Sequence, residues 1–387
     1  MTKKLYWENP YETKFSAVIS SIKTDGIILD KTLFYPESGN QQADKGIIKI
    51  GNDKFEIIGV SKDNNEIIHH ISPELGDKIK VGDKVEGEID WEYRYGLMKA
   101  HSSQHIFSAM LKSMYDLDTL RAILNFEDVF LQISQTIDYD QLKKILYKVN
   151  RICTLEEHKI AADLVSRDVT QGYANEIRGK IPNESEIRLL KIDKLDIVCC
   201  GGTHVRETTE IGSLFIYDFK KGNEIRYYVG NKAILNSSKT NIDLIHMSNN
   251  LNSPLQKVMS VIAKQLELLE NIQKEQKELS IKLLKASSKS PLKVINNIPL
   301  FHIDSDIDIK IINKILPDFP QNSLIIVSME NNKLRIISLS EKLDANSLMQ
   351  RLIQKSGGKG GGSPKSSQGF LEKIPENIID EIESMLK

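Results

Sequence analysis

The sequence predicts an α+β protein made of parts in succession: an N-terminal small β-barrel, an α+β domain, a long helix or helical hairpin, and a C-terminal small α/β domain. Three observations carry this. Over residues 1–88 apolar and polar residues alternate with period two, as in FSAVISSI, GIIKIG and FEIIGV, the pattern of strands with one buried face. Over 89–245 three- and four-residue apolar spacing gives way to strand-like runs. Over 246–287 and then 288–387 a long heptad-patterned stretch precedes a short α/β pattern.

Within the first part, FYPESGNQQADKG (Phe34 to Gly46) carries proline, two glycines and dense polar residues. It reads as an ordered functional loop or as a solvated hairpin loop. A helix is expected from about Trp91 to Tyr115, because Leu97, His101, His105, Ser108 and Leu111 recur at helical spacing. YDQLKKILYKVNRICTLE reads as an amphipathic helix, and EIRLLKI, SLFIYDF and EIRYYVG as strands. From Asn252, Ser253 is suited to cap and Pro254 to begin a long helix. Val258, Ile262, Leu269, Ile272, Leu279 and Leu283 keep a heptad register along it. That register fits a homodimer through the helix after Pro254, or a spacer helix packed on a neighbouring domain. NSLIIVSMENNKLRIISLS gives two strands and a turn, followed by a helix from about Asp344 to Lys355. SGGKGGGSPKSSQG then brings Lys355, Lys359 and Lys365 together without an acidic residue. Its glycines suit either close approach of backbone amides to RNA phosphate or a flexible loop.

A length of 387 residues suits two or three domains. Lys and Arg total 52 against 53 Asp and Glu, so the net charge of −1 gives no global attraction to nucleic acid, and polyanion binding needs local basic patches. MTKKLYWENPYETKF is broken by charge and proline, and no run of eighteen apolar residues occurs. A soluble, unexported protein with no membrane contact is expected. Cys153, Cys199 and Cys200 form no disulfide framework, which fits a reducing cytoplasm.

Two of those cysteines open the stretch CCGGTHVRET, Cys199 to Thr208, which suits a turn, a redox site or half a metal site. Cys200 and His204 have C-x-x-x-H spacing, and His101 and His105 have H-x-x-x-H. Histidines at i and i+4 share a helical face, so a thiolate and a third imidazole complete a tetrahedron whose softness favours zinc. Cys199 is expected to be a buried neighbour. His69, His70, His158, His246 and His302 lack such spacing. Ser102 stands where an H-E-x-x-H protease needs its glutamate base. Gly201 and Gly202 allow a tight turn beside the metal, with any free amides able to donate to an oxyanion.

Together FYPESGNQQADKG, HSSQH, IPNESEIRLLKIDKLDIVCCGGTHVRETTEIGSLFI and SGGKGGGSPKSSQG resemble the alanyl-tRNA editing family in its long form, related to the editing and C-terminal domains of alanyl-tRNA synthetase. CGGTHV separates it from threonyl editing domains, where C-x-G-P-H is usual. The resemblance departs at Asn40, where a glycine is usual, at Gln104, where threonine is frequent, and at Ser363, Ser366 and Ser367 in the C-terminal segment.

The resemblance implies a barrel at 1–88, a zinc-dependent tRNA editing domain at 89–245, a helical linker at 246–287 and a DHH-associated RNA-binding domain at 288–387. One Zn²⁺ per chain on His101, His105, Cys200 and His204 would hold the catalytic water. Ser38, Gly39, Gln41, Gln104, Gly201, Gly202 and Thr203 would contact substrate. The implied activity is hydrolysis in trans of the ester of tRNA(Ala) mischarged with serine or glycine, with no aminoacylation core ahead of the barrel and hence no tRNA charging. The alternative is a noncatalytic zinc-containing tRNA-binding or regulatory protein derived from the synthetase.

Overall fold

Alternating burial along the first strands closes them into a six-stranded barrel. The computed structural model describes residues 2–386 apart from 25, 64–65, 73–78, 305–306, 308, 374 and 376. The strands are β1 (Lys14–Lys23), β2 (Gly26–Leu29), β3 (Gly46–Ile50), β4 (Asp53–Asp63), β5 (Glu66–Ser72) and β6 (Lys84–Ile89). Their order is β1-β2-β5-β4-β3-β6. Ile19, Ile27, Leu29, Ile48, Val85 and Phe34 fill the interior.

The loop before β3 is ordered by a buried ion pair. Asp44 accepts from Arg94 Nε at 2.6 Å and also meets Arg94 Nη2 and the Tyr35 amide, while Arg94 Nη2 donates to Leu33 O at 2.6 Å. Asn40 sits at φ 66°, a left-handed position that asparagine tolerates better than other side-chain-bearing residues, which accounts for its standing where glycine is usual. The Asn40 carbonyl accepts from Leu124 N at 2.9 Å, so the loop is bonded to the neighbouring sheet.

Helix α1 (Trp91–Tyr115) starts where Asp90 accepts from the Tyr93 amide and ends at left-handed Asp116, with the span that apolar spacing predicted. It is buried on nearly every side from Gly96 to Leu111, serines included. Strands β7 (Thr119–Asn125) and β8 (Asp128–Ile133) follow, then α2 (Tyr139–Leu155), whose Asp138 and Gln141 form a capping box. Next come β9 (Ile160–Ser166), β10 (Glu186–Ile192), β11 (Asp196–Cys199), β12 (Leu214–Lys220) and β13 (Glu224–Val229). They make one sheet of order β12-β13-β8-β7 and another of order β9-β10-β11. Phe107, Tyr227, Ile145, Leu190 and Val205 belong to the core that α1 and these elements share. Helix α3 (Gly230–Asn250) follows directly and had no sequence counterpart among the expected elements.

The chain divides into two compact units, Met1–His246 and Met247–Lys387. In the second unit, α4 (Val258–Ser287) begins after a 3-10 turn at Leu255–Lys257 rather than at Pro254, and no side chain caps it, Ser253 included. Only Val258 and Leu284 are buried along its 30 residues, while Leu269, Ile272, Leu279 and Leu283 are exposed. The sheet that follows has β14 (Lys293–Ile295), β15 (Ile298–Asp304), β16 (Leu324–Met329) and β17 (Lys333–Ser338). Helix α5 (Ala345–Ser356), capped by Asp344, leads to β18 (Gly358–Ser363) and β19 (Ser366–Leu371). The order is β14-β15-β16-β17-β19-β18, with β15 and β16 parallel. The mixed α+β class with an N-terminal barrel thus stands. The glycine-rich segment differs from its expected loop form: it is a hairpin whose edge strand β18 pairs with β19.

Candidate metal centre

The metal-type ligand atoms of His101, His105, Cys200 and His204 lie within 4.8 Å of one another. The first two side chains come from one face of α1, one turn apart, and the other two from the turn that leaves β11. Nε2 of His101 and Nε2 of His204 each stand 3.3 Å from Cys200 Sγ. His105 Nε2 is buried without a hydrogen-bond partner. A buried ring nitrogen left unpaired is costly, and here it belongs to the one group that a shared cation would satisfy. The His₃Cys donors therefore fit a zinc-type ion.

The outer ring nitrogens are held as well. His101 Nδ1 meets Gln41 Oε1 at 2.8 Å, and His204 Nδ1 lies 3.4 Å from Ser102 Oγ. A proton on Nδ1 donated to Gln41 leaves His101 Nε2 with its lone pair toward the cluster. Arg178 Nη2 lies 3.3 Å from His105 Nδ1, a contact in which only the guanidinium can donate, so a neutral His105 that coordinates through Nε2 has to carry its proton on Nδ1 and give up this bond; Asp196 fixes the guanidinium at 2.6 and 2.9 Å. Burial lowers the His101 pKa to about 3. Burial and the neighbouring positive groups hold His105 and His204 well below the ordinary histidine value. All three are therefore neutral, the form that coordinates metal. Burial raises the Cys200 thiol, opposed by the Gly202 amide and by Arg188 and Arg178.

Arg188 shapes the turn by donating through Nη1 to the carbonyls of Cys200 at 3.0 Å and Gly202 at 2.7 Å. Gly202 N points at Cys200 Sγ at 3.4 Å, and Thr203 N donates to Gln41 Oε1 at 3.2 Å. Among the described residues no acceptor meets Gly201 N. Ser38, Gly39, Gln104, Gly201 and Gly202 line one cavity of about 300 Å³ with His101, His105 and Cys200. Gln104 Nε2 donates to Ser108 Oγ at 2.8 Å, which bonds Thr119 Oγ1 at 2.7 Å. Gln41 and Thr203 are instead fully buried and bonded to each other, Nε2 to Oγ1 at 2.9 Å. Cys199 is only partly buried, contrary to expectation, because it ends β11 at the open edge of its sheet and lines the same cavity.

Arg178, Arg188, Asp196 and Trp7 had no place in the sequence reading. Their one sequence signal is the pair of arginines flanking the Pro182 turn before β10. In the second unit Lys355 is paired with Glu381, Lys359 lines a groove of about 470 Å³ beside Gln368 and Phe370, and Lys365 lies in the β18–β19 turn. Among the described residues no helix is long and apolar enough to cross a membrane.

The family model described as tRNA synthetases class II (A) matches residues 5–93. Over 396 residues the chain is 30% identical to the alanyl-tRNA editing protein AlaX-L of Pyrococcus horikoshii, covering 98% of this chain and 97% of that protein. It is 25% identical to the alanine–tRNA ligase of Aeropyrum pernix across 100% of this chain and 46% of the ligase. For the ligase of Saccharolobus islandicus the figures are 29%, 100% and 44%. The chain thus spans less than half of either ligase.

Proposed function

This chain belongs to the alanyl-tRNA editing protein family, in its long form, and on that footing we propose that it hydrolyses in trans the ester of tRNA(Ala) mischarged with serine or glycine. The observation that carries this reading is the convergence of His101, His105, Cys200 and His204 on one point, the first three in the wall of a cavity of about 300 Å³. Such a space accepts a small aminoacyl group and little more. One Zn²⁺ held there supplies Lewis-acid polarisation of a carbonyl and a lowered water pKa. Gln41 keeps the His101 ring in the tautomer that coordination needs, and the Ser102 hydroxyl faces the outer nitrogen of His204. The Gly201 amide and the Arg178 guanidinium, fixed by Asp196, are the donors available to negative charge on a carbonyl oxygen.

Selectivity for the seryl over the alanyl ester rests on one hydroxyl, since these two differ by nothing else. Gln104 spends Nε2 on Ser108 and keeps Oε1 for a hydroxyl entering the cavity, with Ser38 on its rim. A site built to bond a hydroxyl can reject the analogue lacking it by about 10⁴ to 10⁵. The test compares deacylation of seryl- and alanyl-tRNA(Ala) by wild type and Gln104→Ala. A strong serine preference that shrinks in the variant with zinc retained is expected. Equal hydrolysis of both esters by wild type refutes the function.

A second reading rests on the ligand count, because four protein ligands on one zinc is the number of a structural site. On that reading the protein binds or regulates tRNA without turnover, and zinc-loaded protein leaves seryl-tRNA intact. Lys359 and Lys365, together with Lys355 once it leaves Glu381, would give the second unit its contact with the tRNA body. A role in translation places the protein in the cytoplasm.

A further inference from the structure

The metal cavity has a second side. Tyr35, Ser38, Cys199, Cys200 and Gly201 line it and also line a cavity of about 210 Å³ behind the Cys-Gly-Gly turn. That space in turn shares Lys4, Trp7, Lys62 and Arg188 with an open trough of about 850 Å³. The three spaces therefore adjoin one another in series, from the cavity lined by His101, His105 and Cys200, past Gly201, to the trough beside Lys4 and Lys62.

The trough is polar in a directed way. The Trp7 indole is locked by its Nε1, which donates to Gly201 O at 2.7 Å. Lys4 Nζ lies 4.0 Å from the Trp7 ring centre, and the Arg188 guanidinium 5.9 Å from it. Lys62 stands close enough to Lys4 to disfavour its charge, in addition to the effect of burial. Neither Lys4 nor Lys62 makes an ion pair with a carboxylate among the described residues. Glu184 and Glu186 line the same trough, Glu184 near enough to favour the Lys4 charge. Two neighbouring cations outside any ion pair within 4 Å, with only the more distant field of Glu184 on Lys4, lie beside a fixed aromatic ring and suit a phosphate and a base of a single strand. The two carboxylates can accept from base amino or ribose hydroxyl groups.

We propose that this trough seats the single-stranded nucleotides preceding the esterified 3′ nucleoside, with a phosphate between Lys4 and Lys62 and a base against Trp7. This rests on the reading that the metal cavity takes the aminoacyl ester. An ester in a cavity of about 300 Å³ remains joined to its strand, which has to leave by an opening. Of the two spaces that continue from it, the trough is the more open, and it carries both an aromatic face and lysines outside any ion pair among the described residues. A phosphate draws Lys4 off the ring face and frees the indole for the base.

The test uses the full zinc-loaded chain with Trp91→Phe, so that Trp7 is the one reporter, and the unacylated RNA trinucleotide CCA as probe. Quenching of Trp7 emission is expected, with affinity reduced at least about tenfold in Lys4→Ala/Lys62→Ala. The slope of log affinity against log salt should fall by about 0.7, the contribution of one single-strand phosphate. In seryl-tRNA deacylation the same double variant should raise KM about fivefold or more, with kcat and zinc content unchanged. Adenosine monophosphate should bind more weakly than the trinucleotide. Equal trinucleotide affinity in wild type and double variant, or an unchanged KM, overturns the trough assignment alone. Absence of hydrolysis by wild type overturns the editing reading and leaves the trinucleotide result to decide the seat.

Discussion

Gly202→Ala tests whether the Cys-Gly-Gly turn is shaped around His101. A Cβ at Gly202 would stand 2.2 Å from His101 Cε1, 2.3 Å from its Nδ1 and 2.9 Å from Gln41 Oε1. Ordinary carbon contact begins near 3.5 Å, so ring or turn has to move by about 1.3 Å. Metal–ligand distances tolerate roughly 0.2 Å. The methyl therefore displaces His101 from its coordinating position and strains its bond to Gln41 at once. Loss of an outer partner alone typically costs about 10- to 100-fold in metal affinity. Displacing the ligand should reach the upper end, about 100-fold or near 3 kcal/mol. Gly201→Ala is the matched control, since its Cβ meets only Trp7 Cζ2, at 3.8 Å. Neither glycine has a positive φ, so backbone strain does not enter. Zinc affinity is measured by competition with a chromophoric chelator, with circular dichroism to verify the fold. Zinc affinity of Gly202→Ala within about threefold of wild type, or equal harm from Gly201→Ala, would refute the packing account.

Asp44→Ala should cost about 3–5 kcal/mol in urea unfolding, because it leaves the fully buried Arg94 guanidinium uncompensated; a loss below about 1 kcal/mol would show that the Leu33 and Pro10 carbonyls suffice. His69, buried in the barrel between Thr32 Oγ1 and Ile27 O, has its pKa lowered by burial from 6.5 to about 4. The unfolded chain thus binds the extra proton first. Its contribution is present above about pH 6.5 and is lost as pH falls through about 4, roughly 3 kcal/mol in all. His69→Gln should flatten the stability profile in that window, and a profile parallel to wild type would exclude the assignment. The exposed apolar line Leu269, Ile272, Leu279 and Leu283 predicts a dimer in sedimentation that Leu269→Gln/Ile272→Gln dissociates; a wild-type monomer at micromolar concentration would count against it.

What was legible in the sequence follows burial. The barrel strands and α1 place apolar residues against a core, so period two and helical spacing announced them. Helix α3 gave no such sign, because only Gly230 and Ala233 of it are buried while Ile234, Leu235, Ile242 and Ile245 face outward. Those four share one face, but the polar run Asn236 to Asn241 interrupts it, so no continuous apolar stripe announces the helix. The β18 hairpin misled in the opposite sense. Glycine-rich composition argues against strand on propensity, yet a Cβ at Gly360 would stand 2.5 Å from Gly369 Cα. Glycine is present there for close approach across the hairpin, a reason that local propensity cannot register.

The four candidate ligands were legible because each pair is local, one helical turn or one tight turn long. Their supports were not, since each reaches across the fold. Gln41 comes from the barrel loop, and 60 positions separate it from His101 and 162 from Thr203, yet it bonds both. Its Oε1 accepts hydrogen bonds from His101 Nδ1–H and the Thr203 amide, while its Nε2 donates to the Thr203 hydroxyl. One side chain thus ties α1 to the cysteine turn, and it can do so only if the barrel loop is held rigid. That rigidity comes from Asp44 and Arg94 beneath the loop and from the Asn40–Leu124 bond at its tip. The barrel is therefore part of the metal centre's scaffold. A loop whose composition allowed either a solvated hairpin or a functional element turns out to set the orientation of a coordinating ring 60 positions along the chain.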